Sequence, residues 1–447
     1  MRRILLLLLI TLAFPTLASV EDSTATKKLV TFFKQGHFYG QIRDFTMSTI
    51  NQGQLRDYYA NAIGASIHYE TKPWKGFKMG INGLFIYRGF SNDLLAKDSL
   101  VGKYSSYEQQ LFDLEYPGNY TDLDRLEELY IDYTYHHWNA TFGKMEVETP
   151  IVNMHDGRMK PKVFMGTKAE YSTKRFDAFG GWFWKASPRS ITHWYSMSET
   201  IGLFSNGVLP DGTHAEYHNH ISTKGLAIAG AEIHLPKHFE FNLWNYYLEN
   251  VSNTFFVNPF YDDSTFYAGM MYLNQFADRH GGHELLERTY FDPSMRTHAL
   301  SGRLGYTMKA HTLQFSASHV FEGGKFIFPR EIGVDPFYTF ISRSQIEGFG
   351  HATATTLSYI YERKNWSLGL HWNHMKSIQD YAHNKYNIPA YNQYNVDLKY
   401  AFKKKLEGLE FRLLYVYRQA LDKTISYAQT FNKVNFHQFN LVVNFNF

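Results

Sequence analysis

Hydrophobic and polar residues alternate along many short segments of the chain. In the last segment one face carries the apolar residues Phe439, Leu441, Val443, Phe445 and Phe447. The opposite face is polar except at Val442, and the segments around Leu129, Trp366 and Tyr394 alternate in the same way. A two-residue period is that of a β-strand between two different environments, whereas an amphipathic helix repeats every 3.6 residues. The pattern therefore predicts an all-β protein.

Strands can be assigned along most of the chain. Their predicted starts lie near Gly36, Tyr58, Gly76, Glu127, Asn139, Pro161, Arg175, Ile191, Gly225, Phe239, Thr265, His298, Thr312, Thr355, Trp366, Gln393, Leu409 and His437. The start near Ile191 is the weakest of these, and residues 254–261 could form an extra strand. The pattern predicts about 18 strands, and roughly 16 to 20 are compatible with it.

Short and long connections alternate between these strands. Short turns are predicted at 72–76, 136–139, 172–175, 235–238, 309–311, 363–365 and 403–408. Long connections are predicted at 90–125, 148–160, 322–353 and 376–393. Turns at one end and loops at the other are typical of a transmembrane β-barrel, whose short turns face the periplasm. Because a closed sheet pairs every backbone group within the bilayer, residues 20–447 are predicted to form one closed antiparallel barrel.

The composition agrees with this prediction. The chain is 17% aromatic, yet its mean hydropathy is −0.37. After the N-terminal segment no apolar run approaches the ~18 residues that a membrane helix needs. A barrel produces this combination, because lipid-facing and lumen-facing residues alternate and aromatic girdles mark both interfaces. The net charge of +3 indicates no particular partner, and the lack of cysteine excludes disulfide bonds.

The N-terminus has the pattern of a secretory signal peptide. Arg2 and Arg3 precede a mostly apolar run at 4–14, and small residues such as Ala18 and Ser19 follow it. The apolar run is too short for a transmembrane helix, so residues 1–19 are predicted to be a signal peptide that is removed on secretion. The alternative is a short N-terminal helix.

Four segments resemble the OprD-type family of outer-membrane porins, in the form found in Bacteroidetes. They are GHFYGQIRDF at 36–45, YYANAIGASIHYETKPWKGFKMG at 58–80, DLDRLEELYIDY at 122–133 and FGKMEVETPIVNMHDGRMKPKVFMG at 142–166. The last carries an Asp-Gly-Arg followed by Pro, as in the part of the family that runs through the constriction loop. Phe447, at the end of an alternating strand, is similar to the assembly signal of outer-membrane proteins.

The resemblance implies a passive channel in the bacterial outer membrane. Residues 148–160 would form a loop folded into the lumen, with Asp156 and Arg158 at the constriction opposite a basic track on the barrel wall. The implied solutes are small and polar and bear a carboxylate, such as amino acids, peptides or aromatic acids, although some relatives pass sugars. The implied partners are the lipid bilayer, lipopolysaccharide and the barrel-assembly machinery, and no cofactor or catalytic residue is implied.

Alternation provides lumen candidates independently of the resemblance. Basic residues opposite an apolar face are Arg43, Lys168, Arg303, Lys399, Arg412 and Arg418. Acidic residues in the same position are Glu128, Asp132, Glu170, Asp397 and Glu410. A charge in a narrow channel acts through a lower effective dielectric constant than in bulk water. Each residue could instead be a solvated wall residue that pairs across strands, and Asp156 and Arg158 could form a buried pair that pins their loop.

Other functions have weaker signals. His218, His220, His280 and His283 lie in predicted loops without a nearby cysteine, so no metal site is expected. The sequence has no nucleotide-binding glycine motif, and alternation explains its aromatic and basic residues better than nucleic-acid binding does. A barrel hydrolase and a receptor or structural barrel with binding loops remain as alternatives to a porin. The sequence does not distinguish a monomer from a homotrimer.

Overall fold

The computed structural model describes residues 32–154 and 158–447, and their main element is one antiparallel sheet. The strands are β1 (His37–Asn51), β2 (Tyr58–Glu70), β3 (Phe77–Ser91), β4 (Leu123–Tyr135), β5 (Trp138–Met145), β6 (Val163–Ser172), β7 (Phe176–Ser187), β8 (Tyr195–Ser196), β9 (Leu226–Leu235), β10 (Phe239–Leu248), β11 (Ser252–Asp262), β12 (Phe266–Ala277), β13 (Arg296–Met308), β14 (His311–Val320), β15 (Ala352–Arg363), β16 (Trp366–Lys376), β17 (Tyr391–Ala401), β18 (Leu409–Ala420) and β19 (Phe436–Asn446). Short helical segments in the loops are Glu108–Leu111, Met197–Thr200, Leu286–Arg288, Lys404–Leu406 and Tyr427–Thr430.

The sheet closes on itself. Neighbouring strands pair antiparallel in chain order, and β1 pairs with both β2 and β19. The short strand β8 pairs only with the end of β7, while β7 pairs directly with β9. In the described part of the chain the barrel therefore has 18 strands and one extra strand outside the closed ring. The predicted fold class is confirmed.

The connections differ in length between the two ends of the barrel. At the turn end the strands are joined by 71–76, 136–137, 173–175, 236–238, 263–265, 309–310, 364–365 and 402–408. The opposite loop end carries 52–57, 92–122, 146–162, 188–225, 249–251, 278–295, 321–351, 377–390 and 421–435. We name 146–162 loop A, 321–351 loop B and 92–122 loop C. The predicted difference in connection length between the two ends is therefore present. The long loop formed by 188–225 was not predicted.

One predicted strand was wrong and one strand that had been left optional is present, so the count of 18 is unchanged. Ile191 is fully buried within 188–225, where β8 is the only strand among the described residues. The optional strand at 254–261 is confirmed, since these residues belong to β11, which pairs with β10 and β12 as a full strand of the barrel wall. It follows β10 through a tight turn in which Asn250 has a φ of 61°.

The strands divide their side chains between two surfaces. On β19 the outward Phe439 and Leu441 are exposed by 42% and 44%, whereas the inward Gln438 and Asn440 are almost fully buried. This is the arrangement of a barrel with an apolar outer band and a polar interior. No helix among the described residues is long and apolar enough to cross a membrane.

Loops fill part of the barrel interior. Ile151 and Val152 of loop A and Phe326 and Ile332 of loop B are fully buried, and they share a hydrophobic cluster with inward wall residues such as Leu273. Loop C packs on another part of the wall, where Leu111 and Phe112 join the cluster of β1 and β2. One inward loop was predicted, and three loops contribute to the interior. Their positions leave two cavities along the wall.

Candidate pore constriction

Loops A and B meet inside the barrel. The backbone N–H of Val334 in loop B donates to the carbonyl of Ile151 in loop A at 2.8 Å. The Nζ of Lys162 donates to the carbonyl of Gly333 at 2.7 Å. Loop A also reaches the wall, where the N–H of Ile151 donates to the hydroxyl of Tyr246 at 3.2 Å. These bonds hold the two loops together across the lumen, so the predicted inward position of loop A is observed.

A cavity of about 1020 Å³ lies between the loops and the wall formed by β1–β4, β18 and β19. We name it the basic cavity. The arginines that line it are Arg43, Arg158, Arg343 and Arg412. Arg43 and Arg412 come from the wall, Arg158 from loop A and Arg343 from loop B. Three separate parts of the chain thus place guanidinium groups around one space.

Arg43 sits at the seam where the barrel closes. It lies directly opposite Asn444 in the β1–β19 register, and its Nε donates to the Asn444 side-chain oxygen at 2.9 Å. Its Nη1 donates to the backbone carbonyl of Arg158. Both acceptors are neutral, so these bonds orient the guanidinium without neutralising its charge.

Arg158 is a buried residue of loop A that contacts loop C. Its backbone has a φ of 51°, and its side chain is only 5% exposed. Its Nη1 donates to the carbonyl of Tyr107 in loop C at 3.1 Å. Arg158 therefore ties loop A to loop C and also lines the basic cavity. Its predicted partner at the constriction, Asp156, lies outside the described residues.

Arg343 was missed by the sequence analysis. Its Nε donates to the side-chain oxygen of Gln438 at 2.5 Å, and its Nη2 donates to that of Asn440 at 3.3 Å. Both amides are inward residues of β19, so the strand holds an arginine that belongs to loop B. Side chains in a loop do not alternate regularly between inward and outward directions. The inward position of Arg343 is therefore visible only in the tertiary structure.

Arg412 and Lys399 share a carboxylate. Arg412 makes two hydrogen bonds of 2.8 Å to the two oxygens of Asp397. The Nζ of Lys399 is 3.8 Å from the same carboxylate. Arg412 lines the basic cavity and its side chain stays 39% exposed, so its charge is partly compensated but accessible.

The opposite wall of the basic cavity is acidic. The β3–β4 register shifts between Asn82 and Gly83, which leaves Glu127 without a partner residue, as in a β-bulge. The bulge turns both Glu127 and Glu128 inward, and both are buried. Glu127 pairs with Arg125 at 2.6 Å, and Glu128 lies 3.1 Å from the Nδ1 of His68.

Glu146 completes this acidic wall just beyond the end of β5. Burial, together with the neighbouring Glu128 and Glu127 carboxylates, raises the pKa of Glu146 to about 8. The basic cavity thus has guanidinium groups on one side and carboxyl groups on the other. Such a space can orient a solute that carries charge of both signs.

The other predicted lumen residues lie elsewhere on the inner wall. Lys168 pairs with Glu170 at 3.1 Å. Arg418 is buried, and its Nε donates to the side-chain oxygen of Gln393 at 2.8 Å. It does not line the basic cavity. The N–H and carbonyl of Phe447 bond to Gly40 at 3.0 and 2.9 Å, at the seam of the barrel. Its role as an assembly signal stays a prediction.

A second cavity, of about 1050 Å³, lies on the other side of loops A and B. We name it the aromatic cavity, because Phe179, Trp244, Tyr338 and Phe340 line it. Among the residues that the structure describes, Arg303 is the one arginine that lines it. The guanidinium of Arg303 lies 4.3 Å from the ring centre of Tyr338 and 4.5 Å from that of Phe260. Arg303 is therefore held apart from the arginines of the basic cavity.

In the described part of the chain no three His, Cys, Asp or Glu side chains are placed to hold a metal ion. Two of the histidines weighed as metal ligands, His220 and His283, lie in loops with their ring centres 6.1 Å apart.

Comparisons with known proteins point to one family. A family model described as outer membrane porin, OprD family, matches residues 138–404. No curated protein sequence matches the chain.

Three crystal structures illustrate the likeness of fold. OpdK of Pseudomonas aeruginosa with vanillate is 15% identical with a TM-score of 0.71. OccK9 (OpdG) of the same species is 13% identical with a TM-score of 0.72. A BenF-like porin from Pseudomonas fluorescens Pf-5 is 13% identical with a TM-score of 0.70. Each comparison covers 93% of this chain and 99% of the other. At these identities the likeness is one of fold.

Proposed function

The chain belongs to the OprD family of outer membrane porins, and from this premise we propose that it passes small polar solutes that carry a carboxylate. Porins of this family are channels and not enzymes, so the protein is an outer-membrane channel. The solute class is the part of the proposal that membership of the family does not establish. It rests on the side chains of the basic cavity.

The observation that carries the proposal is the environment of Arg43. Its two hydrogen-bond acceptors are a side-chain amide oxygen and a backbone carbonyl, so its positive charge is kept while its orientation is fixed. Guanidinium is a planar fork that binds carboxylates through two parallel bonds. Arg158, Arg343 and Arg412 line the same cavity, so a carboxylate that passes through it can bind to more than one guanidinium group.

A solved relative supports this solute class. OpdK of Pseudomonas aeruginosa was crystallised with vanillate, which is an aromatic carboxylate. The acidic wall formed by Glu127, Glu128 and Glu146 adds a preference among carboxylates. It favours a solute with a hydrogen-bond donor or positive group opposite its carboxylate, such as an amino acid or a peptide, over a simple anion.

Planar-bilayer recording of the purified full chain tests the proposal. We expect discrete channels whose current is reduced by benzoate and glutamate and much less by their uncharged amides, benzamide and glutamine. Arg43→Ala should weaken this reduction. Arg175→Ala removes the same charge from an exposed turn and should not. Equal effects of acids and amides on the unmodified channel would contradict the proposal.

A further inference from the structure

The turn end of the barrel is strongly basic. Six of its eight turns contain lysine or arginine, with two or three in each of 71–76, 173–175 and 402–408 and one in each of 236–238, 309–310 and 364–365. The acidic residues of the turns are Asp263 and Glu407. Ten positive side chains thus stand against two negative ones, and we name these ten residues the basic ring.

The opposite end of the barrel has the reverse balance of charge. Loop C carries six acidic residues against two lysines, and 278–295 carries four acidic residues against two arginines. The whole chain has a net charge of only +3. The positive charge is therefore concentrated at the turn end, which faces the periplasm in a transmembrane barrel.

The charges of the basic ring are accessible and are not neutralised by the protein. All ten residues are exposed. In the part of the chain that the structure describes, none of them forms an ion pair. Lysines of the inner wall differ, since Lys78 lies 2.8 Å from Glu70 and Lys168 lies 3.1 Å from Glu170. Exposed charges of one sign create a local potential that attracts the opposite charge.

Apolar side chains place the basic ring at the membrane interface. Trp74 and Leu406 lie within two of the basic turns and are exposed by 60% and 51%. Trp366, which is exposed by 50%, directly follows a third basic turn. The Nζ of Lys75 lies 5.2 Å from the centre of the Trp74 ring. Because exposed tryptophans of a barrel lie at the headgroup level of the bilayer, the adjoining lysines reach the depth of the lipid phosphates.

We propose that the basic ring binds the phosphate groups of acidic phospholipids in the periplasmic leaflet. A lysine ammonium pairs with a phosphate as a compact point charge, and a basic segment at a membrane surface gains attraction with each lysine. The distribution of the charges favours lipid over a partner protein. The basic turns recur around the barrel from the β2–β3 connection to the β17–β18 connection, and lipid surrounds such a ring whereas one docked protein covers one side of it. This inference does not depend on the solute that passes through the lumen.

Spin-labelled lipids test this proposal in bilayers that contain the full chain. The matrix is phosphatidylcholine, and a trace of spin-labelled phosphatidylglycerol or spin-labelled phosphatidylcholine reports the fraction of each lipid that the protein immobilises. At low salt we expect phosphatidylglycerol to associate roughly threefold more strongly than phosphatidylcholine. In about 1 M salt, where the screening length falls to about 3 Å, this preference should nearly vanish. Equal association of the two lipids at low salt, or a preference that salt does not change, would overturn the proposal.

Substitutions locate the preference on the barrel. The triple variant Lys403→Gln, Lys404→Gln and Lys405→Gln removes three charges of the basic ring and should lower the preference from roughly threefold to roughly twofold. The matched control removes three exposed lysines from the loop end, through Lys97→Gln, Lys103→Gln and Lys423→Gln, and should leave the preference unchanged. An equal decrease in both variants would assign the preference to the overall charge of the chain and overturn the proposal. The salt experiment uses the unmodified chain, so it tests the proposal even where a variant fails to fold.

Peptidoglycan is the other anionic material that a basic turn end could contact. Purified peptidoglycan should not retain the detergent-solubilised chain through the basic ring, so the unmodified chain and the triple turn variant should be retained equally. Retention that the turn variant loses, together with equal association of the two spin-labelled lipids, would assign the basic ring to the cell wall and overturn the proposal.

Discussion

The guanidinium of Arg43 donates a hydrogen bond to the backbone carbonyl of Arg158. This bond joins the strand that closes the barrel to the inward loop A. It brings two arginines to the same side of the basic cavity, and the one on the wall orients the backbone that carries the other. The barrel seam and loop A therefore both shape this side of the basic cavity.

The first prediction concerns the charge of Arg158. Arg158→Ala should lower the preference for chloride over potassium roughly threefold, because about 0.6 kcal/mol of attraction for anions is lost. Reversal potentials in a salt gradient measure this ratio. The acceptor of Arg43 is a backbone carbonyl, so it is present in the variant as well. Arg158→Lys, which keeps the charge, should retain most of the preference. An unchanged ratio in Arg158→Ala would place this side chain outside the conducting path.

The second prediction is a pH dependence caused by Glu146. Its pKa is raised to about 8 by burial and by the carboxylates of Glu128 and Glu127. The carboxyl is therefore neutral below this pH and negative above it. Anion preference should fall as the pH rises from about 7 to about 9. Glu146→Gln keeps the shape and cannot ionise, so its channel should lose this change. A dependence that persists in the glutamine variant would assign the titration to another group.

Much of the wall could be predicted from the sequence. Alternation depends only on which of two environments each side chain meets, and the strand around Phe439 and Leu441 shows it clearly. The same reasoning failed where a β-bulge interrupts the two-residue alternation. A bulge in β4 turns Glu127 and Glu128 to the same side, and a strict two-residue period places only one of them in the lumen.

The interior of the lumen was less predictable. Arg343 reaches the basic cavity because loop B packs on loop A, and this packing depends on contacts such as Val334 with Ile151 that are distant in sequence. Buried loop residues such as Phe326 have no regular spacing that separates them from exposed ones. The resemblance placed loop A correctly in the lumen. Neither the resemblance nor the alternation identified loops B and C as parts of the interior.

The third prediction concerns the packing of the loops. Glu331 is buried in loop B, and its Oε1 accepts from the N–H of Gly202 at 3.1 Å and of Phe204 at 2.8 Å. Glu331→Ala leaves both donors unpaired, which costs about 1–3 kcal/mol each. Amide hydrogen exchange at these two residues should rise roughly tenfold or more. Glu284→Ala, at an exposed position in 278–295, is the control. Unchanged amide exchange at Gly202 and Phe204 would show that Glu331 does not stabilise the loop formed by 188–225.

The last prediction separates the backbone and the side chain of Phe447 in barrel closure. Its N–H and carbonyl pair with Gly40, and a Cβ at Gly40 would come within 2.8 Å of its ring. Deleting Phe447 removes two hydrogen bonds and the ring at the seam, whereas Phe447→Ala removes only the ring. If closure needs the backbone pairing, the deletion should lower the temperature at which the folded barrel loses its compact electrophoretic mobility, and the alanine variant should lower it less. Equal loss in both variants would assign the effect to the ring. Normal folding and surface levels of the deletion variant would contradict a role of Phe447 in both closure and assembly.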